Sequence, residues 1–294
     1  MNPIATIVAA TDFSVDAQFA AHRAAMLAAQ HQAGLSLLHV VESDAFLAFK
    51  DWFDDRDLAA LVVAQAEIEL ATLARNLVRA RQVQARTMLR SGRVMDELNA
   101  AEELADLLVL GARGSHPLRE LSLGSTADRL LRTATKPLLV VRTMPAAPYQ
   151  RVLVLVDFSA SSAAAVRAAA RLAPDASIHL LHTFDVPFEG KLKLAGVSDS
   201  RIADYRVESR TRAAAQFERM LDGLEDRTRF TPRVEHGDVR TRFLDTVAQV
   251  QPDLVAVGKQ GQSLVQDLFL GSVTRAVLAE AQCDVLVVPR GAQP

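Results

Sequence analysis

One spacing occurs twice in this chain: Gly111, two residues, Gly114, nine residues, Gly124-Ser125, and again Gly258, two residues, Gly261, nine residues, Gly271-Ser272. Each copy follows a short apolar run, Leu107-Leu108-Val109-Leu110 or Leu254-Val255-Ala256-Val257, that reads as a buried strand, and each Gly-Ser opens a stretch of helical periodicity. Strand, glycine loop and helix start make a recipe for holding phosphate. Glycine permits positive φ and close approach of the backbone to an anion, and a helix N-terminus offers unpaired N–H groups and about half a positive charge. A bare Gly-x2-Gly also reads as a tight turn, and it is the spacer, the Gly-Ser helix start and the duplication together that favour phosphate.

The repetition extends along the whole chain. Ile4 to Thr11 followed by Asp12-Phe13-Ser14 matches Val152 to Val156 followed by Asp157-Phe158-Ser159, and Leu37-Leu38-His39 matches Leu180-Leu181-His182. Gly92 matches Gly237, Asp106 matches Asp253, and Pro137 to Val141 matches Asp284 to Val288. A length of 294 residues suits two domains of roughly 150 residues. Domains at 1–143 and 151–294 are expected, joined by a linker at 144–150 where Pro145 and Pro148 resist helix and interior strand. Strands are expected near 4–10, 35–41, 83–89, 106–111 and 137–142, with helices near 15–30, 57–80, 93–104 and 125–134. The second half repeats the strands near 151–156, 177–182, 229–235, 253–258 and 284–288. Continuous apolar strands alternating with helices imply α/β architecture, a parallel sheet covered on both faces. Its ligands bind at the carboxyl ends of the strands, where strand order reverses. Asp12 and Asp157 end the first strands and the glycine loops end the fourth, so one crevice per half is expected.

Composition narrows the function. A net charge of −2 with no long Lys/Arg block gives no electrostatic drive toward nucleic acid. Apolar runs fall far short of the ~20 residues that cross a bilayer. The single cysteine, Cys283, and the lack of a signal peptide point to a reducing, cytoplasmic setting.

Several residues carry two readings. Asp12 and Asp157 read as ligand carboxylates for ribose or a phosphate-bound metal, or as local caps shared with Ser14 and Ser159, themselves expected N-caps. Ser125, Thr126, Ser272 and Thr274 read as phosphate hydroxyls or plain helix caps. The histidines are scattered and form no ligand set; His39 and His182 read as core or pocket wall, and His116 as a loop residue over the phosphates. Cys283 reads as an inert buried thiol. Phe46, Phe49, Trp52 and Phe53, among acidic residues, read as a lid or partner segment or as core closure.

The doubled glycine pattern with Asp12-Phe13-Ser14 and Asp157-Phe158-Ser159 resembles the universal stress protein family in its tandem, two-domain form. The resemblance implies two doubly wound, Rossmann-like domains of the adenine nucleotide alpha hydrolase type, each with a five-stranded parallel sheet, meeting through their last strands as an intramolecular pseudo-dimer. It implies ATP, with Mg2+ or Mn2+ as an option on its phosphates. The adenine would lie against Ala10, Asp12 and the backbone of Val40, and the phosphates against Gly111, Arg113, Gly114, Gly124, Ser125 and Thr126. The second site maps to Leu155, Asp157, Thr183, Gly258, Gln260, Gly261, Gly271, Ser272, Val273 and Thr274. The copies differ: Arg113, His116 and Arg119 in the first loop face Gln260, Ser263 and Gln266 in the second, leaving Lys259 as the nearby cation. Two nucleotides of unequal affinity are expected. Charge favours the first site, while Ser272-Val273-Thr274 resembles the ATP-binding members more closely.

The expected role is a nucleotide-dependent stress-response regulator, acting on an unidentified protein partner and open to homodimerisation. A slow metal-dependent ATPase, and a scaffold or small-ligand carrier with vestigial sites, are the alternatives. The Gly-Lys-Ser/Thr ending of a P-loop is missing at Gly258-Lys259-Gln260, and Ala10 to Ser14 lacks the glycines of the ATP-pyrophosphatase loop.

Overall fold

The unbroken apolar runs form strands buried on both faces. In the computed structural model, which describes residues 3–42, 55–114, 123–186, 189–261 and 270–290, these are β1 (Thr6–Ala10), β2 (Gly34–Glu42), β3 (Ala85–Gly92), β4 (Leu107–Gly111) and β5 (Leu138–Val141). The second half supplies β6 (Arg151–Leu155), β7 (Ser177–Phe184), β8 (Phe230–His236), β9 (Leu254–Gly258) and β10 (Asp284–Val288). The helices are α1 (Val15–His31), α2 (Asp55–Arg81), α3 (Val94–Glu103), α4 (Ser125–Thr133), α5 (Ala160–Leu172), α6 (Glu189–Leu194), α7 (Asp199–Leu221), α8 (Val239–Val250) and α9 (Ser272–Glu280). Among the described residues, no helix is long and apolar enough to cross a membrane.

The ten strands form one sheet in the order β3-β2-β1-β4-β5-β10-β9-β6-β7-β8. Each half runs 3-2-1-4-5 and is parallel throughout. The halves join where β5 meets β10 antiparallel, pairing Val140 with Val285, Leu139 with Leu286 and Leu138 with Val287. The expected pair of five-stranded sheets is therefore one continuous sheet, joined through the last strands.

Alternate strand residues feed two apolar layers. Ile7, Ala9, Val109, Val152 and Val154 pack with Ala-rich α1 and α5 and with Leu70, Leu77 and Phe217 of α2 and α7. Val8, Leu108, Leu110, Leu153 and Leu155 pack on the other face with Leu98, Leu130, Leu131, Phe243 and Val277 of α3, α4, α8 and α9. Both layers run through both halves. A repeated carboxylate staples the lower end of each half. Asp106 accepts the N–H groups of Ala5 and Thr6, each at 2.9 Å, and Asp253 those of Gln150 and Arg151 at 2.8 and 3.1 Å.

Polar groups lock the seam between the halves. Asp284, 1% exposed, accepts from the Tyr149 hydroxyl at 2.7 Å, the Arg142 N–H at 2.9 Å and Arg23 Nε at 3.2 Å. The Arg23 guanidinium also lies 4.0 Å from the centre of the Tyr149 ring and donates to the Ala147 carbonyl, while Arg81 donates to that of Pro145. The connecting residues are thus pinned to α1 and α2. Burial raises the Asp284 carboxyl above the usual range despite these donors.

Candidate functional site

Strand order reverses between β1 and β4 in the first half, and between β6 and β9 in the second. The chain turns sharply there after β1 and β6. Phe13 and Phe158 take the left-handed region, φ 65° and 62°, which a bulky side chain enters only when its surroundings hold it. The hold is the same in both copies. Asp12 Oδ1 accepts the Ser14 N–H at 3.1 Å, and Asp157 Oδ1 that of Ser159 at 3.0 Å. Ser14 and Ser159 then cap α1 and α5 by accepting from Ala17 and Ser162. Phe13 stacks on His39 at 4.4 Å and Phe158 on His182 at 4.5 Å, and each histidine uses Nδ1 on the carbonyl of Thr11 or Val156. Burial lowers the pKa of His182, outweighing that hydrogen bond and nearby Asp157. The capping reading of Asp12 and Asp157 therefore holds for one oxygen of each.

The other oxygen faces the glycine loop. A Cβ on Gly114 would lie 2.8 Å from Asp12 Oδ2, and one on Gly261 2.9 Å from Asp157 Oδ2. A Cβ on Gly111 would meet Asp16 and Ala17 backbone at 2.5 to 2.7 Å, and one on Gly258 would meet Ser161 and Ser162 at 2.8 to 3.0 Å. None of the six loop glycines has the positive φ that the spacing suggested; the positive-φ glycines lie elsewhere, at Gly92, Gly196, Gly223 and Gly237. What the loops require is close approach, to α1 and α5 at the first glycine and to the aspartate at the second.

Backbone bonds from Gly124 N–H to the Ala112 carbonyl, 2.7 Å, and from Gly271 N–H to that of Lys259, 3.1 Å, close the two loops. Each loop delivers its chain to a helix whose N-cap is that glycine, with no side-chain cap. The serine-capped α1 and α5 differ in this respect. Among the described residues, the first N–H groups of α4 and α9 thus have no side-chain cap from their N-cap residue, the condition for receiving an anion.

In the first half these elements enclose a cleft of ≈ 410 Å³ lined by every candidate residue of that half: Ala10, Asp12, Val40, Gly111, Arg113, Gly114, Gly124, Ser125 and Thr126. Ser125 and Thr126 are exposed. Val94, Leu98 and Leu123 add an apolar wall that the sequence reading missed, although Val94 and Leu98 lie one helical turn apart just after Gly92. Arg113 pairs with Asp16, Nε to Oδ2 3.1 Å, with the arginine side chain 57% exposed. Asp16, with its side chain 9% exposed, also accepts the Arg113 backbone N–H at 3.1 Å, so the pair fixes the arginine at the rim of the cleft.

The second half places Leu155, Asp157, Thr183, Gly258, Gln260 and Gly261 at the matching strand ends, with Gly271, Ser272, Val273 and Thr274 opening α9. Two side chains depart from expectation. Thr274, 2% exposed, donates its hydroxyl proton to the Gly258 carbonyl at 2.8 Å. Lys259 is no phosphate cation: it is 5% exposed, and Nζ donates at 2.9 Å to the carbonyl of Ala134, where α4 ends. Arg142 makes the reverse crossing, to the Leu278 carbonyl of α9. Cations at helix C-termini meet the negative end of the dipole, which accounts for both. His116, Arg119, Ser263, Gln266 and the aromatic group Phe46, Phe49, Trp52 and Phe53 lie outside the described residues. Cys283 is half-buried, its thiol pushed up to about 12, chiefly by burial, which fits an inert thiol.

Comparison with known proteins agrees with this fold. The profile of the universal stress protein family matches residues 3–142 and again 148–289. A universal stress protein of Mycolicibacterium smegmatis is 28% identical over 96% of this chain and 96% of its own length. One from Mycobacterium tuberculosis is 28% identical over 67% of this chain and 62% of its own. Among solved structures, a universal stress protein from Archaeoglobus fulgidus superposes with a TM-score of 0.67 at 19% identity, covering 97% of this chain and 98% of that one. With two matches of the family profile spanning the chain, this protein belongs to the universal stress protein family, in tandem form.

Proposed function

We propose that each half, 1–143 and 151–294 about a 144–150 linker, binds one ATP, with or without Mg2+ or Mn2+, and that occupancy regulates what the protein contacts during stress. One repeated observation carries this reading: a helix N-terminus with a glycine N-cap beside a closed glycine loop whose second glycine faces an aspartate carboxylate. A phosphate fits the helix end, and a carboxylate facing the second glycine of the loop fits a ribose hydroxyl or a phosphate-bound metal. The first cleft, at ≈ 410 Å³, lies within the range of small-molecule pockets. Binding is favoured over turnover because Asp12 and Asp157 already hold the turns after β1 and β6.

Calorimetric titration of the full chain with MgATP tests this, alongside Gly114→Ala and Gly261→Ala. Among the described residues, each new methyl meets only the end of an aspartate side chain. About two equivalents are expected for the wild type, with each variant losing one. Failure of the wild type to bind ATP, or both variants binding like it, sinks the proposal.

A further inference from the structure

Beyond β7, at the outer side of the second half, the chain gathers Asp185, Glu189 and His236, whose ligand atoms all lie within 4.8 Å of one another. His236 ends β8 and Glu189 opens α6. The register that pairs Phe184 with His236 brings them together, although they stand far apart in sequence. His236 Nε2 lies 3.3 Å from Glu189 Oε2 and 3.6 Å from Asp185 Oδ1. That nitrogen is sealed from solvent, yet neither contact has hydrogen-bond geometry.

Coordination explains such spacing. An ion about 2.1 Å from each ligand atom, with tetrahedral angles, separates those atoms by about 3.4 Å, between the two distances seen. We propose that Asp185, Glu189 and His236 form a mononuclear site for a divalent transition ion of the Zn2+ class. One imidazole and two carboxylates suit that class. Three protein ligands leave a fourth position for water, on the side where Asp185 is 74% exposed. The surroundings orient the donors. Arg206 holds Glu189 Oε1 at 2.6 Å and leaves Oε2 facing the imidazole, the outer-shell support that ligating carboxylates usually have. Asp185 Oδ1 accepts the Val186 N–H at 2.8 Å and keeps a second lone pair.

The fold does not impose this cluster. Ser91 stands in the first half where His236 stands in the second, and Glu42 where Asp185 stands, so the repeat has no imidazole there. The site is independent of the proposed nucleotide sites, and its test uses no nucleotide.

Full-length protein stripped with EDTA is titrated with Zn2+ against a chromophoric chelator, and with Co2+ read by its visible d–d absorption. Asp185→Asn and His236→Gln are compared, with circular dichroism as the folding control; the exposed Asp185→Asn change keeps the comparison valid if His236→Gln misfolds. About one equivalent is expected for the wild type, with an intense four-coordinate Co2+ band. Each variant should lose that band and at least about tenfold in Zn2+ affinity, since losing an outer-shell partner alone costs ten- to a hundred-fold. A weak, six-coordinate Co2+ spectrum in the wild type, or Zn2+ affinity unchanged in a folded variant, overturns the site.

Discussion

Glycines four residues or fewer apart in these loops answer to different constraints. At Gly111 the obstruction to a Cβ is backbone of α1, at 2.5 Å, and backbone cannot rotate away. Gly111→Ala should therefore push α1 off the sheet and destabilise the fold by about 1–3 kcal/mol, as overpacking does. At Gly114 the obstruction is the carboxylate end of the Asp12 side chain, at 2.8 Å. Gly114→Ala should unfold within about 0.5 kcal/mol of wild type while displacing the carboxylate from the cleft. Urea denaturation of the two variants checks the contrast; equal loss at both positions would mean that the second glycine also serves packing alone. The same distinction explains why counting glycines could not assign their roles. The spacing reveals that a loop is there, but what each missing Cβ would strike is set by α1 and Asp12, which come from the other end of the domain.

Among the elements, α1 and the last strand are fastened by Arg23 and Asp284, 6% and 1% exposed. Taking away one member of such a pair leaves the other charge buried. Arg23→Met should cost about 3–5 kcal/mol, read as a lower urea midpoint, and a cost below about 1 kcal/mol would show that Tyr149 and the Arg142 N–H suffice for Asp284. Most elements were legible in the sequence. Runs such as Leu107 to Leu110 are apolar at every position because both faces are covered, and Ser14 and Ser159 marked the starts of α1 and α5 correctly. Edge strand β3 read less sharply because every one of its residues is partly or fully exposed, and it runs on to Gly92. The side-chain contacts across the seam were not legible. Lys259 is matched to the carbonyl of Ala134, a group that every residue has and no sequence pattern reveals. His236 likewise looked unpartnered because its neighbours arrive through strand register rather than through spacing along the chain.

For the whole molecule, the histidines set an acid limit. Burial lowers the pKa of His22, His31, His179 and His182 below the ordinary 6.5. A depressed folded-state value means that protons bind the unfolded chain more readily, so the stability these groups contribute is present above pH 6.5 and is lost as pH falls through their folded values. Asp106 acts in the same direction at lower pH, its N–H and hydroxyl donors outweighing burial to hold it below 3.8. Asp284, raised by burial, opposes only once it begins to protonate. The melting temperature should fall between about pH 7.5 and 5.5; a flat or rising profile in scanning calorimetry would contradict the burial of these rings.

The antiparallel meeting of β5 and β10 has an evolutionary consequence. Two identical copies related by a two-fold axis present the same patch to each other, so every residue at that axis occurs twice. A lysine that suited one helix end would be imposed on the other, and an acid beside the axis would face its own image. Joining the copies in one chain lifts that constraint: Lys259 stands where the first half has Ala112, and Asp284 where it has Pro137. Each side of the junction is free to vary alone, and one half can specialise while the other keeps the older chemistry.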